Sequence, residues 1–146
     1  MLTTFIKQHK LPEKFRLTAK DYFQPLAERI FSQFSKSSRP YFVGINGCQG
    51  SGKSTLTDYI GEYLTKTHKL NIVVMSLDDF YFTGEKRQEL SRDIHPLLAT
   101  RGVPGTHDMA MLENTLIKLK AKETGFTIPR FNKATDEPYP QEQWQV

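Results

Sequence analysis

The sequence predicts an α/β domain in which helices cover both faces of a parallel sheet. Two short apolar runs, 41–46 and 71–77, are typical of strands that are buried on both faces. Apolar residues at helical spacing occupy the segment 53–67 between them, so that residues 41–77 form one strand–helix–strand unit. Because parallel strands need such a crossover helix, the pattern favours a three-layer α/β sandwich.

The segment between the first strand and the helix, residues 47–54, fits the Walker A pattern at every fixed position. Its two fixed glycines allow the backbone to turn and to come close to phosphate oxygens. Lys53 carries the charge for the β- and γ-phosphates, and the Ser54 hydroxyl is placed to bind Mg²⁺. The fold is therefore predicted to be P-loop NTPase-type, with ATP and Mg²⁺ as cofactors; a glycine-rich turn with an incidental lysine is the alternative. The expected nucleotide contacts are Gly47, Cys48, Gln49, Gly50, Ser51, Gly52, Lys53, Ser54 and Thr55.

Composition and charge narrow the class of protein. A length of 146 residues, with 38% hydrophobic and 25% charged residues, indicates one soluble domain with a real core. The net charge is +4, but the cations are spread along the chain, so we expect no nucleic-acid partner. No apolar run approaches the roughly 18 residues that span a membrane, so we expect no membrane partner. The single cysteine, Cys48, excludes an internal disulfide and favours a cytoplasmic location.

The remaining elements follow from apolar spacing and capping residues. An apolar stripe over 18–35 predicts a helix that packs on the domain, with Pro25 near its first turn; a partner-binding stripe is the alternative. The other candidates are a short helix near 85–92, a helix over 109–119 with Thr106 or Asp108 as its N-cap, and a third strand at 126–131.

Two carboxylates, Asp78 and Asp79, follow the second predicted strand. In an open parallel sheet, ligands lie beyond the carboxyl ends of the strands, and the phosphate loop also follows such an end. We therefore expect both features to face one cleft. A carboxylate there can accept a proton from the attacking substrate hydroxyl, or it can help to hold Mg²⁺. The alternative is that Asp78 or Asp79 caps the next turn.

Four motifs in order resemble the D-glycerate 3-kinase-like P-loop kinases, which are related to the uridine and pantothenate kinases. They are the Walker A loop, Ser-Leu-Asp-Asp-Phe-Tyr at 76–81, Arg-Gly-Val-Pro-Gly-Thr-His-Asp at 101–108, and Pro-Arg-Phe-Asn-Lys at 129–133, within residues 44–133. The resemblance implies ATP-dependent phosphorylation of a small-molecule hydroxyl. It leaves the first 40 residues uncovered.

The resemblance also implies roles for individual residues. Lys53 and Asp78 fall at the catalytic positions, and Ser54 and Asp78 at the Mg²⁺ positions. Asn132 departs from the pattern, because the family commonly has Asp there. The substrate-side residues would be Asp79, Tyr81, Arg101, His107, Asp108, Arg130 and Lys133, of which the three cations suit an anionic acceptor such as glycerate. The alternatives are a surface charge for Arg101 and a helix cap for His107 and Asp108.

The sequence lacks two features that such kinases have: a further strand ending in a Walker B-like acidic residue, and an arginine-bearing lid. We therefore expect a single domain over 1–146 that is incomplete at its C-terminus, with a helical segment at 1–40 and the nucleotide-binding and substrate-side core at 41–146. Its open sheet edge would need self-association or a partner that supplies the missing half.

The function predicted first is an ATP-dependent kinase for D-glycerate, catalytically deficient in this 146-residue form. Two alternatives stay open within and beyond the enzymes. One is a pantothenate- or uridine-type kinase, and the other is a non-catalytic nucleotide-binding module or half of a split enzyme.

Overall fold

The structure, a computed structural model, describes residues 1–37 and 40–144. The chain divides into two compact units, Met1–Val74 and Met75–Val146. Among the residues that are described, no helix combines the length and the apolar character that crossing a lipid bilayer requires.

Helices dominate the first unit. After α1 (Leu2–Gln8), the chain runs through α2 (Phe15–Thr18), a π-helical turn (Ala19–Phe23) and α3 (Gln24–Lys36), and α4 (Lys53–His68) follows the glycine-rich loop. The predicted helices at 18–35 and 53–67 are thus confirmed. Pro25 is the second residue of α3, directly after the π-helical turn. Its ring has no N–H to donate, and a position in the first turn of a helix tolerates that loss.

Helix α4 is held by the N-terminal helices through two apolar clusters. In the first cluster, Phe5, Phe15 and Tyr59 are buried, with the rings of Phe5 and Tyr59 in edge contact at 5.2 Å. The second cluster contains Ala27 of α3 and Ile60 of α4, again buried. Since α4 begins at the glycine-rich loop, this packing fixes the helix that carries the loop.

The predicted strands 41–46 and 71–77 are not assigned as strands. Residues 41–46 and 71–76 are assigned neither to a helix nor to a strand, and Leu77 begins a 3₁₀-helix, Leu77–Phe80. Continuous apolar runs form strands when neighbours pair with their edges and layers cover both faces. Here Phe42 and Val43 are 50% and 47% exposed. The parallel sheet therefore stays a prediction.

The extended segment after α4 nonetheless runs close beside that helix. A Cβ built on Gly61 of α4 would lie 3.2 Å from Val74 Cγ2 and 3.6 Å from Ile72 Cγ2. Only glycine allows this approach without a shift of the neighbouring side chains.

In its described residues, 75–144, the second unit consists of helices and one hairpin. Its elements are α5 (Gly84–Asp93), α6 (Met109–Ala121), the antiparallel strands β1 (Phe131–Asn132) and β2 (Glu137–Pro138), and 3₁₀-helices at Leu77–Phe80, Pro96–Ala99 and Gln141–Gln143. The predictions at 85–92 and 109–119 are confirmed, whereas the strand expected at 126–131 begins only at Phe131. A hairpin turn joins β1 to β2, so the two strands pair in antiparallel orientation.

Candidate active site

The Walker A loop begins α4 in the first unit. Gly50 and Gly52 have φ angles of 75° and 85°, in the left-handed region that favours glycine, and Gly52 is the N-cap residue of α4. Gly47 is restricted by space, since an added Cβ would lie 2.9 Å from Ser51 Oγ. Of the two glycines predicted to shape the loop, Gly52 is thus favoured by its backbone conformation, whereas Gly47 is closely approached by the Ser51 hydroxyl.

The ammonium group of Lys53 lies across this loop. Its Nζ donates hydrogen bonds to the carbonyl oxygens of Gly47 and Cys48, both over 2.7 Å. The backbone N–H of Gly47 donates to Asn46 Oδ1 over 2.7 Å. The Ser54 side chain follows in the first turn of α4 and is exposed. A helix N-terminus, a lysine and a free hydroxyl together suit a bound phosphate chain.

The other expected site residues lie in the second unit, where the Asp78 carboxylate contacts Lys133 and Tyr81. Its Oδ2 accepts a hydrogen bond from Lys133 Nζ over 2.6 Å, and its Oδ1 accepts one from the Tyr81 hydroxyl over 3.2 Å. Partial burial raises the pKa of Asp78, but the Lys133 ammonium and the Tyr81 hydroxyl outweigh it, with help from His107, so the pKa is lowered. Asp78 is therefore ionised at neutral pH.

Tyr81 and His107 form a stacked pair beside Asp78. Their ring centroids are 4.2 Å apart with an interplanar angle of 25°, and their backbones form an antiparallel bridge. Burial lowers the pKa of His107 and outweighs the Asp78 charge, which acts in the opposite direction. His107 Nε2 is buried and has no hydrogen-bond partner in the part of the chain that is described. The pKa of the Tyr81 hydroxyl is raised, chiefly by burial and then by the Asp78 charge.

The described hydrogen bonds of Asp79 stabilise the local fold. Its Oδ2 accepts hydrogen bonds from the backbone N–H of Ser76 over 3.1 Å and from Arg130 Nη1 over 2.7 Å. Its Oδ1 accepts from the Phe131 N–H over 3.2 Å. Together with the Ser76 hydroxyl it forms a capping box on the 3₁₀-helix. The alternative that one of the two carboxylates caps the next turn thus holds for Asp79. The Asp78 carboxylate instead accepts hydrogen bonds from Lys133 and Tyr81.

The cations expected to bind an anionic acceptor are each paired with a carboxylate. Arg130 pairs with Asp79, Lys133 with Asp78, and Arg101 with Asp136. Arg101 Nη1 also donates to the backbone oxygen of Lys133 over 3.2 Å. An acceptor carboxylate would have to share these cations with the protein carboxylates or displace those carboxylates. The sequence alone does not indicate this competition.

Asp108 is the N-cap of α6, with its Oδ1 accepting from the Met111 N–H over 2.8 Å. The N-cap alternative therefore describes the observed contact of Asp108. Thr106, the other N-cap candidate, is fully buried and donates from Oγ1 to the Val103 carbonyl over 2.6 Å.

Sequence reasoning missed Arg87 and Asp136. Arg87 of α5 is 1% exposed, and its Nη2 donates to Asp136 Oδ2 over 2.6 Å and to the Asp136 backbone oxygen over 3.0 Å. Asp136 thereby joins Arg87 to Arg101. The sequence contains only part of the signal for these contacts. A turn residue such as Asp136 is common in hairpins. No spacing rule, however, links it to Arg87 and Arg101, which lie 49 and 35 positions earlier.

No cluster of three or more histidine, cysteine or acidic side chains suited to a metal lies in residues 1–37 and 40–144. The expected Mg²⁺ ligands, Ser54 and Asp78, are oxygen donors, which this hard cation prefers, and the Asp78 carboxylate is ionised. Each of the two side chains therefore has the chemistry of a Mg²⁺ ligand.

Comparison with known proteins identifies kinases. No family model matches the chain. It is 40% identical over 99 residues to an uncharacterized kinase, mug58, of Schizosaccharomyces pombe, covering 66% of this chain and 35% of that protein. It is 37% identical over 100 residues to the chloroplastic D-glycerate 3-kinase of Arabidopsis thaliana, covering 65% of this chain and 22% of that protein.

A solved structure agrees with these relatives. The D-glycerate 3-kinase of Cryptococcus neoformans superimposes with a TM-score of 0.70 at 31% identity, covering 85% of this chain and 48% of that one. The chain thus spans about a fifth to a half of the length of the proteins it matches. The resemblance to the D-glycerate 3-kinase-like P-loop kinases is confirmed, and with it the α/β class in its coarse form.

Proposed function

We propose that this chain, a relative of the D-glycerate 3-kinase-like P-loop kinases, acts in an ATP-dependent transfer of the γ-phosphoryl group to a hydroxyl of a small anionic molecule, D-glycerate first. The observation that carries the proposal is the complete Walker A loop at the start of α4. Its left-handed glycines and its lysine are the features a phosphate-binding loop needs.

On the nucleotide side, Lys53 would exchange its two loop carbonyls for the β- and γ-phosphate oxygens of ATP. The backbone N–H groups of residues 47–55 and the N-terminus of α4 would bind the remaining phosphate charge. Ser54 and Asp78 would hold Mg²⁺, which supplies electrostatic stabilisation of the transferred group when bound.

On the acceptor side, Asp78 would accept the proton of the attacking hydroxyl. An ionised carboxylate is the form a base requires, and the lowered pKa of Asp78 keeps it in that form. Arg101, Arg130 and Lys133 would face the acceptor carboxylate, and Tyr81, His107, Asp79 and Asp108 would shape and support its site.

The proposal also covers the sheet topology, the association and the cellular location of the chain. Segments 41–46 and 71–76 would pair as parallel strands of a three-layer sandwich. The close approach of Gly61 to Val74 supports the packing of α4 against the second of these segments. The chain would then form a single domain, as the sequence predicts. Half-exposed apolar side chains such as Phe42 favour self-association or a covering partner. The single cysteine favours the cytoplasm.

Two measurements test this function. Calorimetric titration of the 146-residue chain with ATP and Mg²⁺ tests the phosphate loop. A screen for ATP consumption with glycerate, pantothenate and uridine, on this chain and on any longer form of the protein, tests the reaction and its acceptor. Binding without turnover in every form would favour the non-catalytic module.

A further inference from the structure

The turn of the hairpin, residues 133–136, contacts two residues of the proposed site at once. Lys133 reaches Asp78 with its ammonium group over 2.6 Å and accepts a hydrogen bond from Arg101 with its backbone oxygen over 3.2 Å. Asp136 at the other end of the turn pairs with Arg101 through Oδ1. The turn therefore contacts both Asp78 and Arg101.

Asp136 connects the turn to a buried anchor. Its Oδ2 and its backbone oxygen both accept from Nη2 of Arg87, which is 1% exposed. Arg87 and Arg101 lie on the same aromatic side chain, with their guanidinium carbons 5.9 and 5.8 Å from the ring centroid of Phe131. A buried arginine has little freedom to move, so the side chain and the backbone oxygen of Asp136 tie the turn to α5.

The backbone conformation of Asp136 is compatible with its contacts to Arg87 and Arg101. Its φ angle is 60°, in the left-handed region that Asp and Asn tolerate better than most residues. In that conformation the side chain can point back to Arg87 and Arg101 while the chain enters β2. Asn at this position would keep the backbone and the shape of the side chain but lose the charge.

We propose that Asp136 is a positioning residue: by joining Arg87 to Arg101 it fixes the 133–136 turn, so that Lys133 stays on Asp78 and Arg101 keeps its orientation. The functional meaning of these positions rests on the proposed kinase reaction. The positioning itself is a property of the described contacts and is measurable without turnover.

The alternative is that the Arg87–Asp136 pair stabilises the hairpin and has no effect on the site. Glu137 provides the matched control for that case. It neighbours Asp136, and both of its carboxylate oxygens accept from the Gly84 N–H over 3.1 Å, so it also ties the hairpin to α5. The described contacts of Glu137 reach neither Asp78 nor Arg101.

The experiment compares Asp136→Asn with Glu137→Gln in the 146-residue chain by NMR. The first readout is the pKa of Asp78 from its carboxyl ¹³C shift, and the second is the order parameter of the Arg101 Nε–Hε bond. In Asp136→Asn we expect the pKa of Asp78 to rise toward its ordinary value and the Arg101 order parameter to fall below about 0.6, the range of flexible groups. Glu137→Gln should change neither.

Loss of Asp136 leaves a buried arginine without its anion, which can unfold a protein. The double variant Arg87→Met/Asp136→Asn removes that buried charge while Arg101 still loses its partner, so it gives the same two readouts. Unchanged Asp78 and Arg101 in a folded variant would overturn the proposal, and so would equal changes in Glu137→Gln.

A turnover measurement separates this inference from the proposed function. In an active form, Asp136→Asn should raise the KM for the acceptor by about tenfold, the scale of one lost hydrogen bond between charged groups, and leave the KM for ATP unchanged. If no form of the protein, longer forms included, phosphorylates any acceptor, the kinase proposal fails and the NMR result still stands.

Discussion

Lys133 Nζ donates a hydrogen bond to Asp78 Oδ2 over 2.6 Å, across 55 positions of the sequence. The Lys133 side chain is 59% exposed and that of Asp78 is 39% exposed, so solvent screens the pair. Its larger effect is on the charge state of Asp78, because the ammonium group favours the carboxylate over the carboxylic acid.

Lys133→Met should raise the pKa of Asp78. Because the pKa of Asp78 is lower in the folded chain than its ordinary value of 3.8, the pair contributes stability above that value and loses it as the pH falls through the lowered pKa. Wild type should exceed the variant at neutral pH by under about 1 kcal/mol in the free energy of urea unfolding. The difference should vanish once Asp78 is protonated in the folded chain.

The exposed Lys120→Met at the end of α6 is the control for this prediction, since no described contact joins it to Asp78. A difference between wild type and Lys133→Met that persists unchanged in acid would show that packing, rather than the ion pair, is responsible.

Lys53→Ala should abolish most of the affinity for ATP with Mg²⁺, because it deletes the charge that lies within the phosphate loop. Titration calorimetry checks this, given a measurable wild-type affinity. Lys66→Ala is the control: it lies on the same helix and pairs with Glu62 on the surface. Equal affinity of wild type and Lys53→Ala would contradict the assignment of the loop.

Asp78→Asn should lower kcat in an active form by about 10²-fold or more, the scale of a positioned base, and should affect ATP binding less. Steady-state kinetics measures both effects. Asp93→Asn, at the exposed end of α5, is the control. Near-wild-type kcat would assign Asp78 to a structural role like that of Asp79.

Arg101→Gln should raise the KM for glycerate more than the KM for ATP, since bidentate arginine pairing suits a carboxylate. The exposed Arg92→Gln on α5 provides the matched loss of charge. If the active form phosphorylates uridine and ignores glycerate, the acceptor prediction fails and the kinase prediction stands.

The 146-residue chain should self-associate through an exposed apolar segment. Phe42 is half exposed in an apolar segment that also contains the half-exposed Val43. Light scattering should detect oligomers, and Phe42→Glu should disperse them, whereas Ile94→Glu, at a side chain that is 69% exposed, should not. A monodisperse wild-type monomer would refute this expectation.

Local features of the chain were predictable from the sequence. Helix α4, its glycine N-cap at Gly52 and the Asp108 cap of α6 depend on residues a few positions apart, and their patterns are readable in one dimension. The strands at 41–46 and 71–77 were predicted from apolar runs alone. A strand also requires partners distant in the chain, and a run of apolar residues does not specify them.

The sequence by itself determined the phosphate loop, the helix that carries it and the resemblance to a kinase family, because glycine spacing and helical periodicity are local constraints. Only the tertiary structure decided how the charges are paired. Asp79 pairs with Arg130 and caps a turn, Asp78 accepts from Lys133, and Asp136 joins Arg87 to Arg101. The ion pairs cross 35 to 55 positions, and the free energy of each depends on burial and on distances that exist only after the chain has folded.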